Sequence, residues 1–239
     1  MNDQMNAPMS SMPSGGGPVP FYQVWINALT KPNEQTYADM ANSGNAKATT
    51  AYLWVFIAAL VEFFFVSLVQ SAQIGRILAS SNSNLPVRGV GLTLITAVCG
   101  APIVAVIIVV FFAVGVAIIQ WIARMFGGRA SFDQMAYVFG AIYAPFLLVS
   151  TVFNLFGAIP FVGLCFRVVL GLAGLYIVVL QIMAVKGVNQ IGWGQAAGSV
   201  LIPGFAVFLV CCCLGAVAGA AGGVALRNII QQFRPGLGQ

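Results

Sequence analysis

The chain has 239 residues, of which 60% are hydrophobic and only 6% are charged, and its formal net charge is +5. A soluble domain carries about 25% charged residues, so a chain this apolar cannot cover a water-facing surface and is predicted to lie in a membrane. The ten Lys and Arg residues are spread along the chain without a basic block, which excludes a nucleic-acid-binding protein and suits loops beside anionic lipid headgroups.

Catalytic and metal-binding signals are missing from the sequence. There is no His, and the five Cys residues lie in apolar runs without a C-x-x-C pair, so neither zinc nor haem is predicted and no cofactor is expected. A Ser-His-Asp triad is impossible without His, and the glycine motifs of phosphate-binding loops are absent. We therefore expect a protein that is not an enzyme.

The N-terminal part is predicted to contain a tail and an interfacial segment. Residues 1–20 are rich in Met, Ser, Gly, Pro and Asn, which is typical of disorder. Residues 21–50 are predicted to be amphipathic, because five apolar residues follow the spacing of one helix face: Phe21, Val24, Trp25, Ala28 and Leu29. A helix this short cannot span a bilayer, and its Trp suits the headgroup region. The alternative is a docking helix for a partner protein.

Five apolar runs are long enough to cross a bilayer, which needs roughly 20 residues each. They are residues 51–69, 94–122, 135–153, 161–185 and 199–226. The predicted fold is therefore an all-α membrane protein with five transmembrane helices preceded by a short amphipathic interfacial helix. The membrane domain covers residues 51–226, and residues 227–239 are predicted to form a short C-terminal tail.

Two prolines lie inside predicted spans, Pro102 in the second and Pro145 in the third, and each predicts a kink. An odd number of spans places the two termini on opposite sides of the membrane. Lys and Arg divide five against five between the two sides, so the positive-inside rule does not assign the orientation.

Glu62 and Arg167 are the ionisable residues that stand out inside apolar runs. A charge placed there costs about 3 kcal/mol on insertion scales, and such residues usually face the interior of a helix bundle. An ion pair between them is a natural hypothesis, because pairing would compensate both charges. The functional interpretation is a path for an ion, a proton or a lipid headgroup. The alternatives are a structural clamp or an Arg that extends to the interface.

Small residues recur at every fourth position in two spans: Ala136, Gly140 and Ala144 in the third, and Gly215, Gly219 and Gly223 in the fifth. This spacing lets helix backbones approach closely. We expect packing within the chain, with a homodimer face as the alternative.

Three segments resemble the Yip domain family of membrane proteins, named for interaction with Ypt/Rab GTPases. They read WINALTKPNEQTYADM before the first span, GGRASFDQMAYVFGAIYAPFLL around the third, and IPFVGLCFRVVLGLAGLYIVVLQIMAVKGVNQIGWGQAAGSVLIP around the fourth. The resemblance covers residues 21–226. It implies a five-helix domain with a cytosolic N-terminus.

Eukaryotic members of this family act in ER–Golgi traffic and bind prenylated GTPases or each other. Their acidic-Leu-Tyr-Gly-Pro signature is absent here, so the resemblance does not extend to GTPase binding. The chain is more similar to the prokaryotic members, which implies a multi-pass protein of the cytoplasmic membrane, or of the ER or Golgi membrane in a eukaryote.

We expect a non-enzymatic protein that organises partner proteins or membrane shape. Its partners would be membrane lipids, other membrane proteins or a second copy. The expected interfacial or partner surface comprises Phe21, Trp25, Leu29, Arg129 and Asp133. The alternative is a channel, a transporter subunit or a lipid scramblase that uses Glu62 and Arg167.

Overall fold

A computed structural model describes residues 20–80, 89–157, 159 and 162–233. Within these residues the chain forms helices and no strand. The helices are α1 (Phe21–Thr30), α2 (Glu34–Ala41), α3 (Ala48–Ser80), α4 (Gly89–Met125), α5 (Phe132–Phe156), α6 (Val162–Asn189) and α7 (Trp193–Phe233). The expected N-terminal tail lies outside the described residues except for Pro20.

Five of these helices are long and apolar enough to cross a membrane, which confirms the predicted fold class. Their candidate spans are Ala48–Gln70, Ala97–Met125, Phe132–Phe156, Gly163–Asn189 and Trp193–Val210. Two short helices precede them, because Pro32 separates α1 from α2: a proline lacks the backbone N–H that would continue the helix.

Several helices extend past the ends that hydropathy indicates. The first span was expected to end at residue 69 and the second to begin at 94, whereas α3 continues to Ser80 and α4 begins at Gly89. The C-terminal tail was expected from residue 227, whereas α7 continues to Phe233. Hydropathy marks only the apolar part of a helix, and backbone hydrogen bonding carries α3, α4 and α7 into more polar sequence.

The third span, α5, is the central helix of the bundle. It packs against α3, α4 and α6, and 67% of its span is buried, compared with 11–22% of the other four. A side chain of Ala size already crowds the α3–α5 contact, since a Cβ added at Gly140 would lie 2.6 Å from the Ala51 Cβ. Ala136 and Ala144 on the same helix are also buried. In this structure, the small residues of the third span therefore pack within the chain.

The prolines that predict kinks lie inside continuous helices. Pro102 lies within α4 and Pro145 within α5, and the helix continues on both sides of each. Pro145 is buried, whereas Pro102 is exposed.

The two short helices form an N-terminal elbow, residues 21–41, which packs on the bundle through α5 and α6. The hydroxyl of Tyr37 in α2 donates a hydrogen bond to the Ala28 carbonyl oxygen of α1 at 2.8 Å. The Tyr176 hydroxyl of α6 donates to the Leu29 carbonyl oxygen at 2.7 Å. The first bond fixes α1 relative to α2, and the second attaches the elbow to α6.

Candidate functional site

The clearest candidate site is the end of the bundle that carries the elbow. The start of α3, the end of α4, the start of α5, the end of α6 and the start of α7 all lie at this end, because successive spans alternate in direction. We call the elbow, the α2–α3 linker (residues 42–47) and the α4–α5 loop (residues 126–131) together the interfacial platform.

The platform is fastened to the bundle through Lys186, near the end of α6. Its ammonium group forms an ion pair with Glu34 at the start of α2 and lies 4.2 Å from the centroid of the Trp193 ring. The adjacent Gly187 allows α2 to approach closely, since a Cβ there would lie 3.0 Å from the Glu34 Cα. A charge held over an aromatic ring contributes about 0.5–1 kcal/mol at exposed sites, so the contact positions the elbow more than it stabilises the fold.

The inner face of α1 continues into the bundle as a column of aromatic rings. Trp25 lies 5.3 Å from Phe21 and 5.8 Å from Trp54 of α3, and Trp54 lies 5.2 Å from Tyr137 of α5, all between ring centroids. Trp25 also contains a buried indole N–H that has no hydrogen-bond partner among the described residues. The ring of Trp25 therefore acts through packing.

This packing divides the residues expected to form a partner surface. Trp25 and Leu29 pack against the hydrophobic core, whereas Phe21 is more than half exposed. The outer face of α1 carries two further large residues, Tyr22 and Ile26, which are also more than half exposed. Sequence periodicity identified the apolar face that packs inward. The second, exposed apolar strip was not predicted, although the aromatic Tyr22 beside Phe21 was a signal for it.

The α4–α5 loop is held by a pair of buried amides. Gln120 of α4 and Asn189 of α6 donate to each other's carbonyl oxygens at 3.1 and 3.2 Å. Gln120 also donates to the Ala130 carbonyl oxygen at 2.8 Å, and the Ala130 N–H donates to the Asn189 carbonyl oxygen at 3.3 Å. Gly128 makes this possible, because a Cβ there would lie 2.6 Å from the Asn189 Oδ1. The sequence analysis did not predict this amide pair, because the two residues lie on different helices and 69 positions apart.

Arg129 and Asp133, the other expected surface residues, have different surroundings. The Asp133 carboxylate accepts a hydrogen bond from the Ala48 N–H at 3.1 Å, so it caps the start of α3 from the first turn of α5. Arg129 is exposed on the loop. The loop then enters α5 through a capping box between Ser131 and Gln134, which satisfies N–H groups that a helix start leaves unpaired.

Glu62 and Arg167 are not brought together. The Ser150 hydroxyl of α5 lies 3.0 Å from Glu62 Oε1 and 2.8 Å from the Leu147 carbonyl oxygen, and it shares its single proton between these two acceptors. Arg167 is exposed on α6. Within the part of the chain that the structure describes, the ion pair formed is Lys186–Glu34, so the expected Glu62–Arg167 ion pair is not formed.

The small residues of the fifth span lie in α7. A Cβ added at Gly215 would meet nothing within 4 Å among the residues whose surroundings are described. Gly219 and Gly223 belong to the part of α7 whose side-chain surroundings lie outside the description. Among the described residues, no three Cys, Asp or Glu side chains are grouped so that they could hold a metal ion.

Comparison with known proteins gives one match. The model of the Yip1 domain matches residues 26–215, from the middle of α1 into α7. No curated protein and no solved structure matches the chain. The matched region covers well over half of the sequence and includes all five spans and most of the platform. The chain belongs to the Yip1 domain family and is a multi-pass integral membrane protein.

Proposed function

We propose that this protein is a non-enzymatic membrane organiser that binds a partner protein through its interfacial platform. The observation that carries the proposal is the exposed apolar surface of α1, formed by Phe21 at the start of the helix and by Tyr22 and Ile26 on its outer face. These residues lie on a helix that is already fixed to the bundle by its other face. A fixed helix loses little conformational freedom when a partner binds, which favours affinity.

The charge of the platform supports an acidic partner. Lys31, Lys47 and Arg129 are exposed, and within the described residues none of them forms an ion pair. Glu34 at this end pairs with Lys186, and Asp133 caps the start of α3. Asp39 is an exposed carboxylate, so three exposed cations stand against one exposed carboxylate. The charge left for a partner is therefore positive, which steers negatively charged segments to the platform.

The family supports an orientation. The even division of Lys and Arg does not assign one, but the resemblance to the Yip domain family implies a cytosolic N-terminus. We therefore place the platform and the N-terminus in the cytoplasm, in the cytoplasmic membrane of a prokaryote or the ER or Golgi membrane of a eukaryote. Accessibility labelling of a single Cys introduced at the exposed Gln23 in intact cells tests this orientation, and labelling from outside the cell would reverse it.

Purification from native membranes in a mild detergent tests the partner. The full chain is expected to retain a protein in stoichiometric amounts, and a Phe21→Ser/Ile26→Ser variant is expected to lose it. Gln23→Ser is the matched control, because Gln23 is also exposed on α1 but adds no apolar surface. A chain that retains no protein, or a double variant that retains as much as the control, contradicts the proposal.

A second candidate is a conduit for ions or lipids, and the hydrogen bond between Glu62 and Ser150 favours it. A carboxyl group at this depth is unusual unless it has a function. Ion and lipid flux in liposomes, compared between the unaltered chain and Glu62→Gln, decides this candidate. Equal flux from both proteins removes it.

A further inference from the structure

A groove in the spanning part of the bundle carries a further site that is separate from the platform. It has a volume of about 270 Å³ and is lined by nine residues of α4, α5 and α6. Seven of the nine have no polar side-chain atom, and three of these are Phe111, Phe112 and Phe139. Phe111 is 72% exposed, so the groove opens on the lipid-facing surface of α4.

The remaining two lining residues, Tyr143 and Gln181, place polar groups inside this apolar groove. Neither the Tyr143 hydroxyl nor the Gln181 amide has a side-chain hydrogen bond to any described residue, whereas Gln120, Asn189 and Ser150 all have partners at hydrogen-bond distance. A polar group in the hydrocarbon region without a partner is costly, because no water is available there. Both groups therefore lack a partner among the described residues and are free to bind a ligand in the groove.

The depth of these two groups limits what that ligand can be. Gln181 lies eight residues before Asn189 in α6, and Phe112 lies eight residues before Gln120 in α4, so both lie about 12 Å from the buried amide pair at the platform end. The Tyr143 ring stacks on Phe112 with centroids 5.9 Å apart and shares this depth. Since the hydrocarbon core is about 30 Å thick, the polar groups lie near the middle of the membrane.

The lining also excludes a charged ligand. None of the nine residues is Lys, Arg, Asp or Glu, so a charged headgroup brought to this depth would have no counter-ion among the lining residues. We propose that the groove binds an uncharged lipid, whose chain lies against the phenylalanines and whose carbonyl or hydroxyl group hydrogen-bonds to Tyr143 and Gln181. The Tyr143 O–H and the Gln181 N–H donate to a carbonyl, and the Gln181 carbonyl oxygen accepts from a hydroxyl.

The first test compares two photoreactive lipids in vesicles of phosphatidylcholine that contain the full chain. One is a diacylglycerol with a diazirine in its acyl chain, and the other is a phosphatidylcholine with the same chain. Labelled residues are mapped by mass spectrometry at Phe111 in the groove and at Leu172, which is 62% exposed on α6. We expect the diacylglycerol to label Phe111 about fivefold more than Leu172, and the phosphatidylcholine to label both alike. Equal labelling by the diacylglycerol, or a groove preference of the phosphatidylcholine, overturns the proposal.

A groove-filling variant tests the location of the site. Gly115 lines the groove, and a Cβ there would meet nothing within 4 Å, so Gly115→Phe can be accommodated and occupies the ligand's space. Gly171 on α6 has equally open surroundings and lies outside the groove, which makes Gly171→Phe the matched control. The preference of the diacylglycerol for Phe111 is expected to disappear in Gly115→Phe and to persist in Gly171→Phe. A preference that survives in Gly115→Phe overturns the groove as the site.

The polar contacts are tested separately. Tyr143→Phe keeps the ring stack on Phe112 and removes one hydroxyl, and Gln181→Leu removes the amide at similar volume. Each change is expected to weaken competition by unlabelled diacylglycerol about fivefold, the effect of one hydrogen bond. Competition unchanged in both variants overturns the assigned contacts. The readout is lipid labelling alone, so it does not depend on whether the platform binds a protein.

Discussion

Lys186 of α6 forms an ion pair with Glu34 of α2, 152 residues away in sequence, and lies 4.2 Å from the centroid of the Trp193 ring of α7. One side chain thus joins the elbow, the fourth span and the fifth span. Because Lys186 is 18% and Glu34 42% exposed, solvent screens the pair. The contact fixes the position of α2 at the end of the bundle and contributes little to the stability of the spans.

The first prediction concerns this ion pair. Glu34→Gln should weaken the attachment of α2 by about 1 kcal/mol, the upper end for exposed pairs, while the spans keep their stability. Hydrogen exchange of α2 amides in vesicles measures the change, and the effect should shrink as salt is raised. Asp39→Asn is the control, because Asp39 is an exposed carboxylate of the same helix whose side-chain partner is Gln35. Equal exchange in both variants would show that the ion pair does not hold the elbow.

The second prediction concerns the close contact between α3 and α5. Gly140→Ala should lower the free energy of unfolding by about 1–3 kcal/mol, the usual cost of overpacking, because the new Cβ would lie 2.9 Å from the backbone Cα of Ala51. Thermal unfolding in detergent, followed by circular dichroism, measures the loss. Gly174→Ala places the same methyl group where nothing lies within 4 Å and should raise the unfolding temperature slightly, because Ala favours a helix over Gly by about 0.5–1 kcal/mol. A Gly140→Ala protein as stable as this control would mean that α3 and α5 are not in close contact.

The third prediction concerns the buried amide pair. Asn189→Ala should lower the free energy of unfolding by about 1–3 kcal/mol, because Gln120 and the Ala130 N–H both lose their hydrogen bond to the Asn189 side chain. The Gln120→Ala/Asn189→Ala double variant should cost less than the sum of the two single changes, since both remove the same interaction. A double-mutant cycle on detergent unfolding measures the coupling. Additive losses would show that the two amides act independently.

The fourth prediction concerns pH. Burial, with a smaller contribution from Tyr176, raises the pKa of Tyr37 above its ordinary value. The folded chain therefore keeps this proton at a pH where the unfolded chain has lost it. The contribution of Tyr37 to stability is constant below about pH 10 and should fall above it by about 1.4 kcal/mol per pH unit until the folded pKa is reached.

Comparison with Tyr37→Phe isolates this effect. The difference in unfolding free energy between the unaltered chain and the variant should shrink above pH 10, because the variant has no proton to lose at this position. Tyr22→Phe is the control, since Tyr22 is exposed on α1. A difference that stays constant from pH 8 to pH 11 would contradict burial of the Tyr37 hydroxyl.

The five-span fold could be predicted because each span is a local property of the chain. Removing about 20 apolar residues from water needs no partner other than lipid, so hydropathy alone identified the spans of α3 to α7. A span and its helix do not end at the same residue, since α3 continues to Ser80 and α7 to Phe233. There the helix is maintained by backbone hydrogen bonds that sequence hydropathy does not measure.

The contacts of the candidate site could not be predicted in this way, because they join residues that are distant in sequence. Glu62 was expected to pair with Arg167, but its partner is Ser150, 88 residues away. The sequence offers both Arg167 and Ser150 as partners for the Glu62 carboxyl, and no local pattern distinguishes between them. Only the packing of α5 against α3 places the Ser150 hydroxyl within hydrogen-bond distance.

By itself, the sequence determined that this protein lies in a membrane, how many spans it has and to which family it belongs. These properties depend on composition and on patterns along the chain. The tertiary structure decided which face of α1 is left exposed, which amides pair beneath the loop and which polar groups line the groove. Those outcomes depend on how helices from separate parts of the chain pack against one another. The Gln181 amide has the same chemistry wherever it lies, and only its position in the groove makes it part of a site.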